Sequence, residues 1–218
     1  MKLQSLSRLS RHLLALGATA LLVGAVHATP DAQFDPAFAQ FQQASKGSES
    51  AIEKSAEAFV ALLKSEPTNP VLMAYAGAST SMKATTTMLP WKKMSYAEDG
   101  MAMLDKALAL LTPAHDAVLQ HNLPASLEVK FVASNTFLAV PGFMNRGARG
   151  AKLLGEVLAS PLFVTSPVAF RGDVWLFSAQ QALKDKRKDD ARKFLDEVIK
   201  AKAPQAEVAR AQMKALAS

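Results

Sequence analysis

Residues Pro67 to Leu111 read PTNPVLMAYAGASTSMKATTTMLPWKKMSYAEDGMAMLDKALALL, and this stretch decides the fold. Asn69 offers a side-chain oxygen to the first turn of a helix, and Pro70 suits the first helical position, where a missing N–H is no loss. Ala74, Gly77, Ala78 and Ser81 follow at steps of three, one and three, which lines one side of that helix with small residues. A glycine inside a helix costs about 1 kcal/mol relative to alanine, and close approach of a second helix is the natural compensation. The pattern predicts that Pro90 ends this helix and that a second runs from about Met94 to Leu111, with Gly100, Leu104, Ala107 and Leu108 facing inward. A Pro90-Trp91-Lys92-Lys93 corner joins the two.

Working outward, apolar residues recur at helical spacing along most of the chain, with no sustained alternation of the strand kind. Asp35-Pro36 reads as the cap and first residue of a helix ending near Gly47. Another runs from Ser48 to just before Pro67, where Ile52, Ala56, Phe59, Val60 and Leu63 form one stripe. Thr112-Pro113 opens a short helix to about His121, and Asn122-Leu123-Pro124 opens the next, striped by Leu127, Phe131, Ser134 and Leu138. Pro141-Gly142 turns into a helix ending near Ser160, SPLFVTSP (160–167) reads as a connection, and Ser166-Pro167 starts another helix. Lys186-Arg187-Lys188 breaks its pattern before an amphipathic DDARKFLDEVIKAKA, and Pro204 starts the last helix. Helices joined by short links pack as antiparallel neighbours, so the expected fold class is all-α.

The N-terminus carries a different message. Lys2, Arg8 and Arg11 precede the apolar run Leu13 to Val26, and small or tolerated residues follow at Val26-His27-Ala28, which is the layout of a cleavable secretory leader over 1–28. The run has 14 residues, short of the roughly 20 that cross a bilayer. The expected mature chain is a single domain over 29–218, delivered to the periplasm or, alternatively, secreted, with no stable membrane anchor after cleavage. It has no cysteine, so its stability rests on packed helices and not on disulfides. Without the leader's three cations, 22 basic side chains face 19 acidic ones, a net charge of +3. So mild a balance gives nucleic acid little purchase as a partner.

In one window, Trp175, Ala179 and Ala182 are followed by Ala191, Leu195 and Val198, with Pro204 just beyond. In another, Met73 and Gly77 precede Gly100, Leu104 and Ala107, with about eleven extra residues between the halves. Both windows resemble tetratricopeptide repeats. Ala56, Phe59 and Pro67 mark a partial unit before the second window, and Gly147, Ala151 and Leu154 a poorly matched one after it. The long first helix with its Pro-Trp-Lys corner is also similar to a bacterial group of exported, tetratricopeptide-like proteins of unassigned role. The resemblance implies antiparallel hairpins stacked as a short right-handed solenoid, whose free curved face receives a protein or peptide. On that arrangement the receiving residues are Tyr75, Ser79 and Met82, then Asn135, then Phe170 and Asp173.

Side chains suited to catalysis do not assemble in the sequence. His115 and His121 lie six apart, whereas a zinc pair on one helix face needs three or four. Gly142, Gly147, Gly150 and Gly155 sit in a helical pattern with no preceding strand, unlike a phosphate or dinucleotide loop. Asp189-Asp190 sits where a helix begins, where the dipole favours negative charge. The expectation is therefore no catalytic residue, no metal and no cofactor. Surface candidates remain at Trp91, Lys92, Lys93 and Tyr96, where the indole either grips an anionic or extended partner or folds back as a lid over the hairpin. Arg146 and Arg149, at a helix start where an acidic group can dock, are the others. The predicted role is a non-catalytic, protein- or peptide-binding adaptor, with a small-molecule- or lipid-binding helical domain as the alternative. The latter would need a large apolar cavity between the Met73–Met94 hairpin and the Leu127 helix, lined by soft methionines.

Overall fold

The computed structural model of the chain describes residues 28–117 and 119–216. The leader reading over 1–28 lies, Ala28 aside, outside the described residues. Among those described the architecture is all-helical, with ten α-helices: α1 (Asp31–Ser45), α2 (Glu49–Ser65), α3 (Pro70–Met82), α4 (Pro90–Ala109), α5 (Ala125–Ala139), α6 (Gly147–Ala159), α7 (Pro161–Thr165), α8 (Val168–Lys184), α9 (Lys188–Lys200) and α10 (Ala206–Ala215).

Helix α3 is the centre of the N-terminal part. Its sequence is apolar on every side, as a helix covered all round requires, and every residue from Pro70 to Ser79 is buried. It packs against α2, α4 and α5 and touches α1. Asn69 starts it as expected, accepting hydrogen bonds from the amides of Val71 and Leu72 at 3.0 and 3.3 Å. The same side chain donates to Glu66 Oε2 and Thr29 Oγ1, which ties the head of the described chain to the α2–α3 link.

The two glycines read as a helix crossing do meet. A Cβ on Gly77 would lie 2.7 Å from the carbonyl oxygen of Gly100, and one on Gly100 would lie 2.6 Å from the amide nitrogen of Ser81. Moving from Gly77 to Ser81 along α3 moves the contact back along α4, from Leu104 to Gly100, so the pair is antiparallel. Helices α5 and α6 repeat the device. Ser134 Oγ donates to Gly150 O at 2.9 Å while Lys130 pairs with Glu156, again with opposed directions. At the C-terminal end α8, α9 and α10 close over Ala179, Ala182, Ala191, Leu195, Val198 and Ala209, all with no exposed surface.

Several proline readings are corrected. Pro36 lies inside α1, which already starts at Asp31; as the sixth residue of the helix it forgoes the hydrogen bond to the Ala32 carbonyl. Pro90 opens α4 and does not close α3, which ends at Met82 and decays through a 3-10 turn at Lys83–Thr85. Thr112-Pro113 begins only a 3-10 turn, Pro113–Asp116. After it, Leu119–Gln120 pairs with Leu123–Pro124 in a tight antiparallel hairpin whose corner residues, His121 and Asn122, have φ of 51° and 60°. SPLFVTSP contains the short helix α7, begun by Ser160 and Pro161.

If the α3–α4 crossing holds the hairpin together, Gly100→Ala should destabilise the protein by about 1 to 3 kcal/mol, because the obstructing atoms are backbone. Urea unfolding followed by circular dichroism checks this; an unchanged midpoint would show that the backbones can separate without loss.

Candidate functional site

The most unusual chemistry lies where α1, α3 and α5 meet. Phe34, Phe38 and Phe41 fall at steps of four and three, so α1 presents one aromatic stripe inward. With Phe59 of α2 they enclose Tyr75 of α3: the Phe59 and Tyr75 rings stack at 4.9 Å, and Phe41 meets Tyr75 edge-on at 4.8 Å. The Tyr75 hydroxyl donates a 2.7 Å hydrogen bond to Glu128 Oε1 on α5. Glu128 is only 5% exposed, and its Oε2 is buried without a hydrogen-bond partner.

Burial pushes the Glu128 carboxyl from an ordinary 4.5 up to about 8, the hydrogen bond from Tyr75 acting more weakly in the opposite sense. The Tyr75 phenol is raised well above 10.0, first by burial and then by the neighbouring carboxyl. Both groups are therefore neutral at pH 7, and the pair acts as a polar clasp between α3 and α5. The sequence signal for Glu128 was available: its neighbours Val129, Val132, Ala133 and Phe137 are all apolar and all buried, which places a lone glutamate on an inward face.

The residues expected on a curved receiving face do not form one. Tyr75 and Ser79 are buried, the latter bonded to Ser55 Oγ at 2.7 Å, because α1 and α2 cover that side of α3. Met82 is half-buried against Ala44, Ala51 and Ile52. Asn135 donates to the Phe131 carbonyl within its own helix, and Phe170 packs edge-on against Phe131 at 5.4 Å. Asp173 alone of this set is exposed, accepting from Gln205 Nε2 at 2.6 Å.

At the corner, Trp91 is 66% exposed and so does not fold back as a lid. Lys92 and Lys93 are exposed with it, while Tyr96 is half-buried beneath the Lys83 ammonium, 4.9 Å from its ring centre. Arg146 and Arg149 receive an acidic group, but it comes from within the chain: Asp105 of α4 pairs with both, at 3.0 and 2.5 Å.

Two further arrangements escaped the sequence. His121, read as part of a polar helix, instead turns toward α1, 2.6 Å from Asp35 and 3.7 Å from Asp31. The ligand atoms of these three exposed side chains lie within 4.8 Å of one another, which makes them the described residues best placed to hold a cation. A hydrogen bond between His121 Nε2 and Asp35 Oδ1 already links two of the three. The second is a groove of about 480 Å³ between α6 and the α8–α9 hairpin. Its floor and walls include Leu138, Leu154, Leu158 and Phe194, and Gly147, Ala151 and Gly155 form an exposed ridge of small residues at steps of four. Between α3 and α5, Leu72, Ala76, Val129 and Ala133 are buried together in one core cluster.

Because the Glu128 pKa is higher folded than unfolded, the folded state binds the extra proton. Stability on this account is greatest below about 4.5 and falls as pH rises to about 8, by on the order of a few kcal/mol. Glu128→Gln keeps a neutral side chain of the same shape, so its stability, measured by urea unfolding from pH 5 to 9, should fall less over that window than that of the parent. Parallel curves would place the charge elsewhere.

No family model, curated protein or solved structure matches the chain.

Proposed function

We propose that the chain is a tetratricopeptide-like helical-repeat adaptor, exported from the cytoplasm, that binds a segment of a partner protein along the α6 groove and performs no chemistry on it. The repeat reading is supported by the C-terminal window, where Ala179, Ala182, Ala191, Leu195 and Val198 are all fully buried in one cluster, as small and large positions of a packed hairpin would be. The burial of Leu72, Ala76, Val129 and Ala133 in one core cluster between α3 and α5 favours this reading over the small-ligand alternative.

One observation carries the choice of site. The other glycines within α-helices of the described chain are occupied by a neighbour: Gly77, Gly100, Gly150 and Gly172 would each place a Cβ within 3 Å of another group. Gly147 and Gly155 would meet nothing within 4 Å, and both line the same groove. A bare ridge flanked by Leu138, Leu158 and Phe194 admits an incoming backbone closely, while Asp185 and Arg187 supply a polar rim. Small residues let chains approach, the apolar walls supply affinity, and the rim supplies orientation.

A photo-crosslinking side chain at Ala151, introduced in cells that make the protein, is expected to give a discrete protein adduct. The crosslinked segment, made as a peptide, should bind the purified full chain, and Gly155→Trp should weaken that binding by roughly tenfold, about 1.4 kcal/mol, with thermal melting unchanged. Absence of an adduct, or undiminished binding by Gly155→Trp, would remove the groove from the function.

A further inference from the structure

Eight large apolar side chains are exposed among the described residues, and four of them, Met88, Leu89, Trp91 and Met94, lie within seven positions at the tip of the α3–α4 hairpin. A fifth, Phe143, borders the same hollow as Met94. Met88 is 87% exposed and Phe143 68%. Apolar surface so concentrated marks a place where something else docks.

Charge identifies the occupant. From Pro67 to Ala97 the sequence has three lysines and no acidic residue. Lys83 is neutralised by Glu53 at 2.8 Å, whereas Lys92 and Lys93 are exposed and enter no ion pair among the described residues. They also stand in the first turn of α4, where a positive side chain opposes the helix dipole and is unfavourable in water. The residue before that turn is Leu89, which has no side-chain oxygen with which to cap the amides of Trp91 and Lys92. Two lysines and uncapped amides thus make a cationic collar just behind an apolar tip. An anionic bilayer offers the complement of each part at the matching depth: phosphates for the collar, the headgroup boundary for the indole, and acyl chains for the methionines and leucine. No described helix is long and apolar enough to cross a membrane, so contact through this tip would be peripheral.

We propose that the 88–94 tip, with Phe143 beside it, is a peripheral docking surface for an anionic phospholipid bilayer. It is separate from the α6 groove and does not depend on it.

The chain has no cysteine, so Thr87→Cys gives the full-length protein a single site for an environment-sensitive fluorophore. With vesicles of mixed phosphatidylcholine and phosphatidylglycerol the label should shift to the blue, and with phosphatidylcholine alone it should not. Local emission at the tip is read so that binding of the vesicle by another part of the chain does not count. Lys92→Gln with Lys93→Gln should weaken the anionic-vesicle response by about 30-fold, from roughly 1 kcal/mol per lysine, with the circular dichroism spectrum unchanged. Trp91→Ala should weaken it as well. The proposal is overturned if the label does not shift on anionic vesicles, or if neutral vesicles or the double glutamine variant give the same response. It is also overturned if the shift grows with protein concentration in the absence of lipid, which would make a second copy the occupant, or if it needs an added protein.

Discussion

Two helices can bring their backbones into contact only where neither carries a side chain, and the α3–α4 hairpin depends on that constraint. With hydrogen alone at Gly77 and Gly100, the carbonyl of each can lie over the other's Cα. The separation so fixed lets Leu104 and Ala107 share one core with Leu72, Val129 and Phe137. It also makes α3 too enclosed to offer a working face, so exposed features are pushed to the ends and edges of the bundle: the tip beyond Met82, and the groove beside α6.

Much of this was legible in the residues themselves. The Asn69-Pro70 start, the Gly77–Gly100 meeting, the break at Lys186 and the buried pattern of α8 and α9 all follow from local chemistry, because caps, small residues and charged turns act within a few positions of where they stand. Proline was the ambiguous sign. It is tolerated at a first helical position and excluded from most later ones, so Pro90 fits equally well as the end of one helix or the start of the next. What decided between them was the link before it, Lys83 to Leu89, which leaves α3 through a 3-10 turn.

The candidate site was less readable, for a reason that concerns distance along the chain. Whether Tyr75 and Ser79 face outward depends on where α1 and α2 lie, and Phe34 and Phe41 come to rest on Tyr75 from more than thirty positions away. His121 is similar: its ring stands edge-on to Phe34 at 5.2 Å, a contact that spacing within the 113–124 segment cannot reveal. The groove arises from α6 facing α8 and α9, a meeting that spacing along the sequence does not reveal. Exposure of Trp91, by contrast, was one of two outcomes that the composition of its segment already allowed.

The clasp between Tyr75 and Glu128 makes folding a proton-consuming reaction. Near neutral pH the unfolded chain holds this carboxylate ionised, and the folded chain holds it protonated, so close to one proton is taken from the buffer for each molecule that folds. The heat of unfolding measured by calorimetry then includes the ionisation enthalpy of whichever buffer receives that proton. The difference between two buffers counts the protons released without reference to stability.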